Sequence, residues 1–372
     1  MRLKPMIDTV ILKFPTGKFF IEQIVNFGVA TKEEVAYGKE FYKKFYNNPN
    51  DSSLMEKGYQ PRLTLYRRGR IIELKVEFSA PKILFSNNLN ELEENDLSLL
   101  VNKLKRQLEE RGVRINTEDL FNADVSAFHA SKNIRLKKGY TSIAVIKELS
   151  KINLTQKLDM DHKDFRNGGH SLQYYAKSHA LVLYDKVRDL KKPDKRAIDK
   201  ENKINQLSLF DYLANKNLPE IIRIEARLSQ KQKMNSVLKK LGLPEHPKLK
   251  DIFKKDVCQK IVNHYWEEMI LDGNTFLFQP LNNPQRIIQR IIKKDKKVKP
   301  KEVIYLAGLY IIVKDLGIRE LRLLLSQLSS QRSWYRIADD FKKLKLARYQ
   351  YEWVNEIKDA IKKFEPLRIN GP

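Results

Sequence analysis

Residues 70–80 alternate without a break: Ile72, Leu74, Val76 and Phe78 share one side of an extended chain, and Glu73, Lys75 and Glu77 share the other. Such a strand must lay one face on a core and turn the other away. The same period returns in Glu220–Leu228, where Ile222, Ile224, Ala226 and Leu228 oppose Arg223, Glu225 and Arg227. Four more segments read as strands. Met6–Phe14 is nearly continuous in apolar residues, as a central strand is, and ends at Pro15. Arg62–Arg67 precedes Gly69 and forms a hairpin with the 70–80 strand. In Asn122–Ala130, Asp124, Ser126 and Phe128 are expected to share a face, with His129 on the apolar side. In Ser178–Arg188, Leu181, Leu183, Asp185 and Val187 oppose Val182, Tyr184, Lys186 and Arg188.

Helical periods fall between these strands. Thr31 and Glu34 have the spacing of a capping box, predicting a helix that stops near Asn47-Asn48-Pro49. Leu97, Leu100, Val101, Leu104 and Leu108 form a stripe that stops at Gly112. Thr141 caps a helix running through Ile152, and another helix ends at Gly242. Residues 153–169 read as a loop and 191–203 as an exposed charged excursion or the start of a helix. From about Lys248 the pattern is helical throughout, which sets an expected domain boundary between 1–247 and 248–372. Within the second part, Gly317–Leu344 reads as two short helices joined near Ser329-Ser330, in a helix-turn-helix-like arrangement.

Charge narrows the partner. Lys and Arg number 71 against 46 Asp and Glu, a net charge of +25, and such a field attracts polyanions, nucleic acid above all. A lysine-rich solvated surface is the plainer reading. The single cysteine, Cys258, cannot form an internal disulfide or build a cysteine zinc site; it reads as a small core residue in a reducing, cytoplasmic setting. No secretory-type start and no bilayer-length apolar stretch is present, so no membrane partner is expected.

The alternate positions of four strands carry the chemistry: Glu73/Lys75/Glu77, Asp124/Ser126, Tyr184/Lys186 and Arg223/Glu225/Arg227. Carboxylates converging on one sheet face suit Mg²⁺ or Mn²⁺. A tyrosine hydroxyl beside a lysine and arginines can hold and attack a phosphate. Each group also has a structural reading: Tyr184 as packing, Glu225 as one rung of an ion-pair ladder, His129 as a satisfied core histidine. An acid in an apolar strand, as at Asp124, is costly without a partner. His170 and His179 remain open candidates, and Phe128 with Tyr184 offers a thin version of an RNA-stacking platform.

Several blocks resemble the filamentous-phage gene II family of replication initiators and, more distantly, plasmid rolling-circle initiators. They are MIDTVILKFP at the start, SAPKIL at 79–84, NADVSAFHA with Asn122 in place of the family's arginine, LVLYDKVRD, IIRIEARL at 221–228 with LKKLGLP at 238–244, and Ser333-Trp334. The resemblance implies an α+β fold: an antiparallel RRM-like or HUH-like nuclease sheet with helices on one face, then an α-helical domain that grips or reads DNA. It implies a phage or plasmid rolling-circle initiator that nicks origin DNA, forms a 5′-phosphotyrosyl intermediate and rejoins the ends, with a host helicase and polymerase as further partners. Tyr184 takes the nucleophile's place, with Lys186 beside it and Tyr174 or Tyr175 as alternates. Asp124 and Glu225 take the Mg²⁺ or Mn²⁺ ligand places, with Glu77 or Glu73 third, since no His-hydrophobe-His pair is present. Arg223, Arg227 and Arg188 are expected on DNA phosphates at the site, and Arg286, Arg290, Lys293 and Lys294 on the duplex. A non-catalytic DNA-binding replication regulator is the alternative.

Overall fold

A computed structural model describes residues 6–22, 27–28, 31–35, 39–46, 59–68, 70–137, 139–152, 163–190, 219–267, 282–328, 331–344 and 351–367. The N-terminal half runs β1 (Ile7–Pro15), β2 (Phe20–Ile21), β3 (Thr31–Val35), β4 (Lys39–Tyr46), β5 (Arg62–Arg68), β6 (Ile71–Ser79), α1 (Ala80–Phe85), α2 (Asp96–Glu109), β7 (Val113–Arg114), α3 (Thr117–Phe121), β8 (Asp124–Arg135) and α4 (Ser142–Ser150). Next come β9 (Lys163–Arg166), β10 (Ser171–Tyr175), β11 (His179–Asp185), α5 (Lys186–Leu190), β12 (Ile221–Leu228) and α6 (Lys231–Lys240). Only helices follow among the described residues: α7 (Leu249–Ile252), α8 (Lys255–His264), α9 (Pro284–Lys294), α10 (Pro300–Leu316), α11 (Ile318–Ser326), α12 (Gln331–Leu344) and α13 (Glu352–Lys363). None of these helices is long and apolar enough to cross a membrane.

The fold is α+β. Ten described strands form one sheet in the order β3-β4-β5-β6-β1-β8-β12-β11-β10-β9, every neighbouring pair antiparallel; β2 and β7 form a small second pair. The alternation of β6 and β12 holds: Leu74, Val76, Phe78, Ile222, Ile224, Ala226 and Leu228 are all buried. Helices cover this apolar face. Tyr174 reaches α4, and His179 meets Tyr265 just past α8.

Two bulges correct the expected facing of β8. Between Ile7↔Ala130 and Val10↔Phe128, β1 takes three steps against two. Between Ile11↔Ala127 and Leu12↔Val125, β8 has the extra residue, Ser126. A bulge reverses which face later residues meet. Phe128 therefore lies in the core, while His129, expected on the apolar side, sits beside Glu225 on the other face.

Three further expectations change. The segment predicted as a capped helix from Thr31 is the hairpin β3–β4, paired to β5 at the sheet's edge. Phe41, Tyr42, Phe45 and Tyr46 favour a strand, and cross-strand pairing outweighs a local capping signal. The strand at Ser178–Arg188 ends at Asp185, and Lys186 begins α5, so Lys186 and Arg188 do not continue the face of Tyr184. Arg188 is exposed on that helix. Within the expected loop at 153–169, the described residues include the strand β9. The excursion at 191–203 lies outside the described residues.

The boundary at 247/248 falls inside the core. Val125 N–H donates to Pro247 O, Leu249 N–H donates to Ala123 O, and Val257, Cys258, Ile261 and Val262 of α8 are buried in the same core as the sheet. Cys258 is the small core residue expected: it is fully buried, and burial pushes its thiol pKa up to about 12.

Candidate functional site

On the sheet face opposite α4 and α8, charges gather where β1, β8, β12 and β11 run side by side, closed over by α5 and the segment around Asn88. Register makes the cluster: Val182, Glu225 and Ser131 lie in one row across β11, β12 and β8, and Tyr184, Arg223 and Asn133 in the next. The Tyr184 hydroxyl donates to Glu225 Oε2 at 3.2 Å. Glu225 Oε1 faces His129 Nδ1 at 3.0 Å and accepts from Arg227 Nε at 2.9 Å. The Arg223 guanidinium donates to Asn88 O at 2.9 Å and Ser131 Oγ at 2.7 Å, and stands 3.4 Å from Asp8 Oδ1 and 4.0 Å from Glu225 Oε2. Lys186 donates to Asn88 Oδ1 at 2.7 Å and lies 5.5 Å from the centre of the Tyr184 ring.

Electrostatics follow from burial and these partners. Burial alone would raise Glu225, but Arg227, His129 and Arg223 hold its carboxyl well below the usual range. Burial opposes Asp8 in the same way, and Arg223, helped by Lys186 and Lys82, keeps it below its ordinary value. Burial drives the Tyr184 phenol well above 10, and Glu225 adds to that shift. The resting site is thus a neutral phenol donating to an ionised carboxylate, ringed by cations.

Asp8 was missed in the sequence. It is the acid in the apolar run Met6–Phe14, and the argument applied to Asp124 fits it as well. The β1 bulge aims it at the cluster, where Ser79 Oγ donates to it at 3.1 Å.

The expected metal-ligand set does not come together. Asp124 lies opposite Lys13 and is held by Lys248 Nζ at 2.6 Å, whereas Glu225 lies opposite Ser131. From 124 to 131 is seven residues of β8, roughly 20 Å at the rise of a strand. Glu77 pairs with Ile11 on β1 and sits 3.3 Å from Lys75; it is three strands from β12, about 14 Å across the sheet. Glu73 is taken by Lys13 at 2.6 Å. Among the described residues no group of three His, Cys, Asp or Glu side chains gathers at one point. The carboxylates named for Mg²⁺ or Mn²⁺ therefore do not fit one ion.

The other candidates divide. Tyr174 faces the core, and its hydroxyl lies 2.8 Å from Leu149 O and 3.1 Å from Ile152 O. Tyr175 packs beside Ala180, Val182 and Tyr184 on the site's face. His170 is 3.1 Å from Asp185, and His179 is sequestered against Tyr265. Phe128 is buried, which removes the stacking platform. Arg223 is buried in the network and cannot reach DNA, whereas Arg227 keeps a third of its side chain exposed. On α9, Arg286, Lys293 and Lys294 are exposed and Arg290 half-buried.

Comparison with family models, curated proteins and solved structures gives no match for this chain.

Proposed function

We propose that the chain is a rolling-circle replication initiator: an origin-specific tyrosine DNA nickase and strand transferase. The observation that carries this reading is the Tyr184 hydroxyl on Glu225, with Arg223, Arg227 and Lys186 around it. In the reaction the phenol oxygen bonds to the scissile phosphorus, and the bond from phosphorus to the 3′ oxygen breaks. The phenolic proton leaves along its hydrogen bond to Glu225 as the new bond forms and, because that carboxyl is too acidic to hold it, is passed on through water to the departing 3′ oxygen, which becomes the primer hydroxyl. A 5′-phosphotyrosyl link remains until the reverse step joins the ends. Arg227, a third of whose side chain is exposed, offsets the charge that develops on the phosphate; Arg223 and the fully buried Lys186 position the network rather than touching DNA. The exposed cations of α9 would hold the duplex without reading it.

The test is nicking of the supercoiled replicon that encodes the protein, with Mg²⁺, Mn²⁺ or chelator, wild type beside Tyr184→Phe, and the DNA-linked peptide mapped. A single-site nick linked to Tyr184, lost in the variant, is the expected result. A link to Tyr175 would move the nucleophile two rows along the same face and one strand over, to the row of Ala180 and Arg227. The second reading is a non-catalytic DNA-binding replication regulator, favoured by one observation: Tyr184 is only 8% exposed and both oxygens of Glu225 are engaged. Tight origin binding without a nick under any metal condition would select it.

A further inference from the structure

The helical part contains a second surface, remote from Tyr184 in sequence. Helices α10, α11 and α12 each pack on the other two. Their inward faces bury Val303, Ala307, Leu309, Tyr310 and Val313 of α10, Leu321 of α11, and Trp334, Phe341 and Leu344 of α12. Four residues, 327–330, separate α11 from α12, a spacing that suits a helix-turn-helix. Arg322 of α11 lies 5.8 Å from the Trp334 ring, fixing the start of α12 against its neighbour. The unit is also seated on the sheet domain. At Gly317, between α10 and α11, φ is +86°, and an added Cβ would come within 2.8 Å of Lys151 Cα at the end of α4.

This packing leaves the opposite face of α12 outside. Arg332, Tyr335, Arg336 and Asp339 are exposed, and Ser333 lies among them. Two arginines in the first two turns of a 14-residue helix, with a tyrosine between them, face outward from a chain of net charge +25. Major-groove readers present these groups: a guanidinium pairs with the O6 and N7 edge of guanine, and a carboxylate accepts from the cytosine amine.

We infer that α12 is a recognition helix that reads duplex DNA in the major groove, with Arg332 and Arg336 on base edges and α10–α11 as its support. This deepens the proposed function, because it names the surface by which the chain finds duplex sequence, and it rests on DNA being the partner. Its test does not depend on nicking.

Full-length Tyr184→Phe protein, in chelator, is used to select bound duplexes from a random pool. Affinities for the selected and a scrambled duplex are then measured by fluorescence anisotropy over a salt series. Arg332→Ala and Arg336→Ala should each weaken the selected duplex about 10-fold or more and the scrambled one little. Arg336→Lys should keep scrambled binding and lose part of the preference, since a flexible lysine ammonium lacks the rigid planar fork that fixes the guanidinium on guanine. Arg286→Ala/Lys293→Ala on α9 should weaken both duplexes alike and flatten the salt slope. Equal preference in wild type and the α12 variants, or no sequence selected by wild type, overturns the inference. Neither result bears on whether Tyr184 nicks, which the supercoiled-replicon assay reads separately.

Discussion

Glu225 is where the site's charge is settled. It is almost completely buried, yet it stays ionised because Arg227, His129 and Arg223 surround it. Removing its charge strands those partners in a poorly solvated place. Glu225→Gln should therefore destabilise the chain by about 3 kcal/mol at neutral pH, measured by urea unfolding. The pH dependence has a definite sign. The folded pKa lies well below the unfolded 4.5, so on acidification the unfolded chain takes up the proton first. The stabilisation is complete above about pH 5 and drains as pH falls through the folded value. Asp8, depressed from 3.8, adds to the same acid loss. The Gln variant should thus lose less stability than wild type between pH 6 and pH 3.5; an unchanged acid slope would remove Glu225 from the account. Tyr184→Phe costs only a hydrogen bond to that carboxylate, about 2 kcal/mol, and should remain folded for the nicking assay.

At the scale of elements, strand faces were readable wherever alternation ran unbroken. In β6 and β12 the period decides both faces, and Glu225 and Tyr184 could be assigned to one side from residue order alone. Bulges defeated the same reasoning in β1 and β8. One extra residue at Ser126 puts Phe128 in the core and His129 at the site, and nothing in NADVSAFHA marks the step. The separation of the expected metal ligands was illegible for a related reason. Period two says which face a carboxylate shares and nothing about how far along the strand it lies, so Asp124 and Glu225 looked like neighbours. The β3–β4 hairpin was hidden because its stability comes from pairing with β5, a long-range term that a local capping signal does not contain. Helix corners are open to a sharper test. Gly317 combines a φ of +86° with a backbone atom 2.8 Å from any added Cβ. Gly317→Ala should lower stability by about 2 kcal/mol or more, seen as a fall in Tm, while Gly242→Ala, with open space at its Cβ, should cost less.

The whole molecule is tied together across the point where strand patterns stop. Period change marks a change of secondary structure, and a domain boundary needs a break in the core as well. No such break occurs at 247/248. Val257, Cys258, Ile261 and Val262 of α8 lie against β8 and β12, and Trp353, Val354, Ile357 and Ile361 of α13 pack behind them. Lys248 itself holds Asp124 across the join. A chain ending at Pro247 would expose the apolar face of the two strands that carry His129 and Glu225. Residues 1–247 alone should then show no cooperative thermal transition by circular dichroism and should aggregate, where the full chain melts in one step. If that fragment instead melts cooperatively near the full chain's Tm, the sheet holds its site unaided and the helices after Lys248 are an appendage. If it does not, the network around Tyr184 depends on α8 and α13. Nicking should then be lost on truncation through unfolding, although Glu225 and Lys186, the partners of Tyr184 in the site, both precede Pro247.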